Sequence, residues 1–117
     1  MGGNVISTRI RNVAISVLDE DYNSIQGNMR NGVIVFPESA LLVLTWETLA
    51  MSMDMDYREL SVKFTNLKFY DQVTVNPQKL LNFTVCITKA EGEFEVLAEN
   101  KIVSGVIKIV DNEKFRA

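Results

Sequence analysis

Chemistry in this chain has to be built from very few residue types. The 117 residues contain no His and a single Cys, Cys86. Without imidazole there is no Ser–His or Cys–His nucleophile pair, and the commonest general base and metal ligand are missing. One Cys excludes an internal disulfide framework and a Cys-only zinc site. Carboxylates remain. Glu38 follows Pro37 at the start of a long apolar segment, where a negative charge meets the positive end of a helix dipole. A carboxylate in that place could also activate water. Glu91, Glu93, Glu95 and Glu99 crowd one short stretch, and their spacing suits a solvated hairpin and edge protection better than a metal site. Trp46 and the trio Met51, Met53 and Met55 suit core and helix-end packing. Cys86 falls on the polar parity of a strand with no base in view, which makes it a passive thiol.

Composition narrows the setting. Twelve Lys+Arg against fifteen Asp+Glu give a net charge of −3, and 47% of the residues are hydrophobic. The basic residues are scattered singly along the chain, so no stripe suits a phosphate backbone and no nucleic-acid partner is expected. A chain of this size predicts one domain over residues 1–117. Its first residues lack a basic segment followed by an apolar run, and its longest strongly apolar stretch, residues 40–44, falls far short of the ~20 needed to cross a bilayer. The expected location is cytoplasmic, with no membrane span.

The elements that must position these residues follow from periodicity. Residues 5–18 mix β-branched and polar residues in imperfect alternation, which predicts a long strand with a bulge near Arg11-Asn12. Residues 19–31 are polar and turn-rich, with Gly27, Asn28, Asn31 and Gly32 tolerant of positive φ. Residues 33–36 form a short apolar strand. From residue 38 to about 53 there is no Gly or Pro, and residues 41–44 are apolar over more than a full turn, so the predicted helix is buried on several sides. Alternation then returns at residues 62–75, 81–88, 93–98 and 102–110, with a turn at Glu91-Gly92. One helix that hides most of its circumference points to a curved antiparallel sheet wrapped around it, an α+β single hot-dog fold, with another α+β sandwich, its helix packed flat on the sheet, as the runner-up.

The stretch Gly27-Asn28-Met29-Arg30-Asn31-Gly32 and onward through Pro37 to Leu42 resembles the dehydratase region of animal-type fatty acid synthases and related polyketide synthases, insect-like fatty acid synthases above all. The first hot-dog half of that family carries His-x-x-x-Gly-x-x-x-x-Pro before its central helix. Gly32 and Pro37 keep that spacing, and Leu41-Leu42-Val43-Leu44-Thr45-Trp46-Glu47-Thr48-Leu49-Ala50 is similar to the family's helix. The strand from Val62 to Leu67 and the segments Phe94-Glu95-Val96 and Val103-Ser104-Gly105-Val106 extend the likeness in one collinear order over residues 14–109.

What the resemblance implies is a half-site for removing water from a 3-hydroxyacyl thioester. The family's His takes the α-proton, and an Asp from a second hot-dog half helps the hydroxyl leave. Backbone N–H groups near Gly32 and the helix start hold the thioester carbonyl. Gly32, Val33, Phe36, Pro37 and Leu41 fall on the substrate-binding positions. The implied partners are the second hot-dog half and an acyl carrier protein, whose phosphopantetheine arm brings the substrate, with no cofactor in the domain itself. In isolation the half is expected to form a homodimer. The His position is Asn28 here, the second-half Asp motif is missing, and Glu38-Ser39-Ala40 stands for a usual Ala-Thr-Gly. The expectation is therefore an N-terminal dehydratase half that is catalytically inactive as given. The alternatives are a structural or acyl-binding module of the synthase, or an acyl-CoA thioesterase using Glu38.

Overall fold

Alternation of aliphatic and polar residues decides the strands in the computed structural model, which describes residues 8–88 and 91–110. In chain order the elements are β1 (Thr8–Ile15), a 3-10 turn (Asn23–Gly27), the short strands β2 (Met29–Arg30) and β3 (Val33–Ile34), and helix α1 (Glu38–Ser52). A second 3-10 turn (Tyr57–Glu59) follows, then β4 (Val62–Phe69), β5 (Leu81–Thr88), β6 (Glu93–Leu97) and β7 (Lys101–Ile109). The five long strands make one curved antiparallel sheet in the order β1-β5-β6-β7-β4, while β2 and β3 pair separately as a hairpin. The architecture is the single hot-dog fold that the sequence predicts.

The inner face of the sheet and one side of α1 form the core. Phe83, Val85 and Ile87 on β5, Phe94 and Val96 on β6, and Val103 and Ile107 on β7 are all buried, and they meet Leu41 and Leu44 of the helix. The helix packs on β1, β5 and β6. Its buried side is less apolar than the leucine run suggests, because Thr45 and Thr48 are fully buried. Each hydroxyl donates to the carbonyl one turn earlier, Thr45 to Leu41 at 3.1 Å and Thr48 to Leu44 at 2.7 Å, so neither brings an unpaired donor inside. Trp46 donates its indole N–H to the Leu60 carbonyl at 2.8 Å and stacks edge-on with Tyr57, which pins the turn after the helix. Met51 and Met53, by contrast, are about half exposed and belong to the surface.

Several local expectations are corrected. No bulge interrupts β1, whose eight residues pair continuously with β5 from Thr8↔Thr88 to Ile15↔Leu81. The alternation looks imperfect because Arg11 sits on the inner parity, where its guanidinium lies 3.4 Å from both Glu47 Oε1 and Thr48 Oγ1 on the helix. The irregularities lie in β4, where the register shifts between Thr65 and Lys68 with Asn66 at φ +54°, and between Val96 and Leu97. Residues 73–75 are not a continuation of β4; Thr74 makes a lone bridge to Val35. Glu93 and Glu95 lie on a strand with neighbours on both sides, so they line a solvated face and protect no edge. The residues beyond 110, and residues 5–7 of the expected first strand, lie outside the described residues.

Candidate functional site

The site is organised by a hairpin whose turn is written in the sequence. Asn31 (φ +52°) and Gly32 (φ +79°) supply two consecutive left-handed residues, the requirement of a tight two-residue connection between β2 and β3. Asn28 sits at the mouth of this hairpin, half-buried, and closes it. Its carbonyl accepts from Val35 N–H at 2.9 Å, its own N–H donates to Ile25 O at 2.9 Å, and its side-chain Nδ2 donates to Val35 O at 2.7 Å. The side chain is thus spent as a latch, and an amide carries no lone pair basic enough to take an α-proton near neutral pH.

The hairpin is tied in turn to the segment after β4. Phe36 N–H donates to Val73 O at 2.8 Å and Val75 N–H to Ile34 O at 2.9 Å. Pro37 (φ −65°, ψ 142°) stands at the N-cap of α1, its carbonyl accepting from Ala40 N–H, one residue before the first helical turn. Glu38 is the first helical residue and is exposed.

These elements meet around a cleft of only about 20 Å³. Of the residues singled out in the sequence, Asn28, Phe36, Pro37 and Leu41 line it, and so does Glu38. Gly32 and Val33 are not among its walls; both are exposed at the hairpin tip. Arg30, Asp71, Gln72 and Val73 complete the walls. Sequence reasoning passed over the last three because nothing local says that residues 71–73 return to the helix start; the signal available was the Val73-x-Val75 alternation beyond the end of β4. The cleft presents amide, carboxylate and guanidinium groups but no imidazole. Among the described residues no group of three or more Cys, Asp or Glu side chains could hold a metal ion.

Cys86 lies on the outer face of the sheet, away from this cleft, with its thiol pushed up by burial and by Glu95, so it stays protonated and unreactive. No described helix is long and apolar enough to cross a membrane.

No family model matches the sequence. Solved structures do. The dehydratase domain from the CurF module of the curacin polyketide synthase superposes with a TM-score of 0.68 at 12% identity, covering 99% of this chain and 46% of that one. GphF dehydratase 1 gives 0.67 at 10% identity over 87% of this chain and 39% of its own. An N-terminal dehydratase from the difficidin assembly line gives 0.64 at 13% over 89% and 38%. The chain spans less than half the length of each of these domains. Identities this low speak for architecture: the chain has the single hot-dog fold, and the three solved structures it is compared with are dehydratases, one of them from a polyketide synthase.

Proposed function

We propose that the chain is the N-terminal hot-dog half of a 3-hydroxyacyl-carrier dehydratase domain in a fatty acid synthase, and that this half holds no base. The observation that carries the second point is the Asn28 amide, bonded to Val35 O at 2.7 Å in a chain without His. Dehydration needs a base at the α-carbon and an acid at the leaving hydroxyl. Asn28 supplies neither. The substrate would arrive as a thioester on the phosphopantetheine arm of an acyl carrier protein, and a 20 Å³ cleft does not admit it; a second half must supply the remaining wall. Support for such a partner comes from β4, which among the described residues is an edge strand paired on one side only, with β7. Leu67 and Phe69 on that strand are more than a third exposed, and Ile109 of its neighbour β7 is half exposed. An open edge beside exposed apolar side chains is the place for a second sheet to join, and in isolation a second copy takes that place.

Incubation of the chain with a 3-hydroxybutyryl thioester is expected to yield no crotonyl product, and formation above background would overturn the reading. In Asn28→His the ring can donate Nδ1–H to the same Val35 carbonyl and leave Nε2 toward the cleft. With the second half supplied in trans, this variant is expected to gain dehydration. Its failure, with the paired species present by light scattering, would favour the structural or acyl-binding module. A strictly monomeric mass at high concentration would remove the edge-pairing argument.

A further inference from the structure

The basic residues that look scattered in the sequence are not scattered in space. In the β4–β7 pair Lys63 stands directly opposite Lys108, and Lys68 directly opposite Ser104. Residues paired in this way leave the sheet on the same side, and here that is the outer face, because the alternate positions Phe64 and Ile107 belong to the core. Beyond the end of β4, Tyr70 folds back over the same face. Its hydroxyl lies 3.0 Å from Ser104 Oγ, and the Lys68 and Lys101 ammonium groups each lie 5.4 Å from its ring centroid. Four of the chain's seven lysines thus occupy the outer face of one two-stranded ribbon, on a molecule whose net charge is −3.

Lysines on an edge strand commonly guard it against unwanted pairing. That explanation reaches Lys63 and Lys68 but not Lys101 and Lys108, which lie on β7, an interior strand. Among the described residues only Lys101 of these four is matched by an acid, Glu95 Oε2 at 3.2 Å. Among the described residues Lys63 and Lys108 make no ion pair, and two like charges in directly opposed positions destabilise a sheet unless an anion comes between or over them.

We propose that the outer face of the β4–β7 ribbon, carrying Lys63, Lys68, Lys101 and Lys108, is a docking surface for an acidic protein. The charge is spread along the ribbon: Lys63 and Lys68 are five residues apart on an extended strand, roughly 16 Å, which matches a row of carboxylates better than one phosphate. The next strand presents Glu93 and Glu95 on the same face, with Glu95 beside Ser104, so a broad polyanion such as nucleic acid meets repulsion one strand away. The inference stands apart from the dehydratase reading, since it concerns the side of the sheet opposite the helix.

The test is fluorescence anisotropy of a labelled deca-glutamate peptide titrated with the full chain at low salt. Saturable binding that weakens as salt is raised is expected, with at least a tenfold loss in the double variant Lys63→Glu/Lys108→Glu. The control Lys79→Glu, outside the ribbon, should bind as the parent does. If the double reversal perturbs the circular dichroism spectrum, Lys63→Gln/Lys108→Gln takes its place, with at least a threefold loss expected. Absence of saturable binding, equal binding by the ribbon variants, or preference for a single-stranded oligonucleotide or anionic vesicles over the peptide would overturn the proposal.

Discussion

The two halves of the sheet are treated differently by the one helix. Over β1, β5 and β6 the helix lies close, and Ile15, Phe83, Val85 and Val96 beneath it are sealed from water. Towards β7 and β4 it draws away, leaving an apolar cleft of about 360 Å³ between Leu49 and Met53 on one side and Ile107 and Ile109 on the other. The first half is sealed on its inner side; the second carries exposed apolar side chains on its inner side and lysines on its outer side. The difference teaches that burial is concentrated on β1, β5 and β6 while exposed apolar side chains gather on β7 and β4, and the proposal that the latter serve association can be tested.

The sharpest test compares two phenylalanines. Phe83 is 1% exposed and its ring centroid lies 4.9 Å from that of Phe36. Phe83→Ala should cost about 3–5 kcal/mol, read from the urea midpoint. Phe69 is 37% exposed on β4, and Phe69→Ala should cost below about 1 kcal/mol in folding, while shifting the mass measured by light scattering toward the single chain. Equal losses of stability would erase the distinction between the halves.

Gly105 lies on the seam between them. A Cβ there would stand 2.9 Å from Leu67 Cδ2, 3.1 Å from the Phe94 ring and 3.1 Å from the Thr65 carbonyl oxygen. Gly105→Val should therefore destabilise by about 1–3 kcal/mol, and an unchanged midpoint would mean that β4 yields freely. A smaller effect is expected for the Arg11–Glu47 pair, whose side chains are 24% and 26% exposed. A double-mutant cycle should return a coupling of about 1 kcal/mol or less that shrinks with salt; a salt-independent value would count against the pairing. The smallest effect concerns Asp56, held by the Arg58 guanidinium and backbone N–H so that its carboxyl titrates lower than the usual 3.8, at about 2. A folded value below the unfolded one makes its contribution complete above pH 3.8 and lost as the pH falls toward 2. The midpoint difference between the parent and Asp56→Asn should close over that window, and a constant difference would refute it.

Much of the fold was legible because it rests on local period. Leu81, Phe83, Val85 and Ile87 announce β5 and its buried side, and residues 38–52 form the helix as their composition predicts. What was hidden depends on strand order. Placing β7 between β6 and β4 puts Glu93 and Glu95 in mid-sheet, and the same order gathers four separated lysines. Burial of Thr45 and Thr48 was hidden for another reason, since a hydroxyl that bonds its own helix carbonyl behaves as an apolar group. Of the cleft, the hairpin and helix start could be read from Asn28, Gly32 and Pro37, whereas for the wall from residues 71–73 the Val73-x-Val75 alternation marks an extended segment but not the long-range main-chain bonds that bring it to the helix start.

Arg11 carries a last consequence. Its inward guanidinium, keyed to the helix, makes β1 a poor template for another strand, which leaves β4, its lysines notwithstanding, as the border where the proposed second sheet would join. On that proposal, a sheet able to grow from one margin only would be complete after a single addition, with no third member left to begin a fibre.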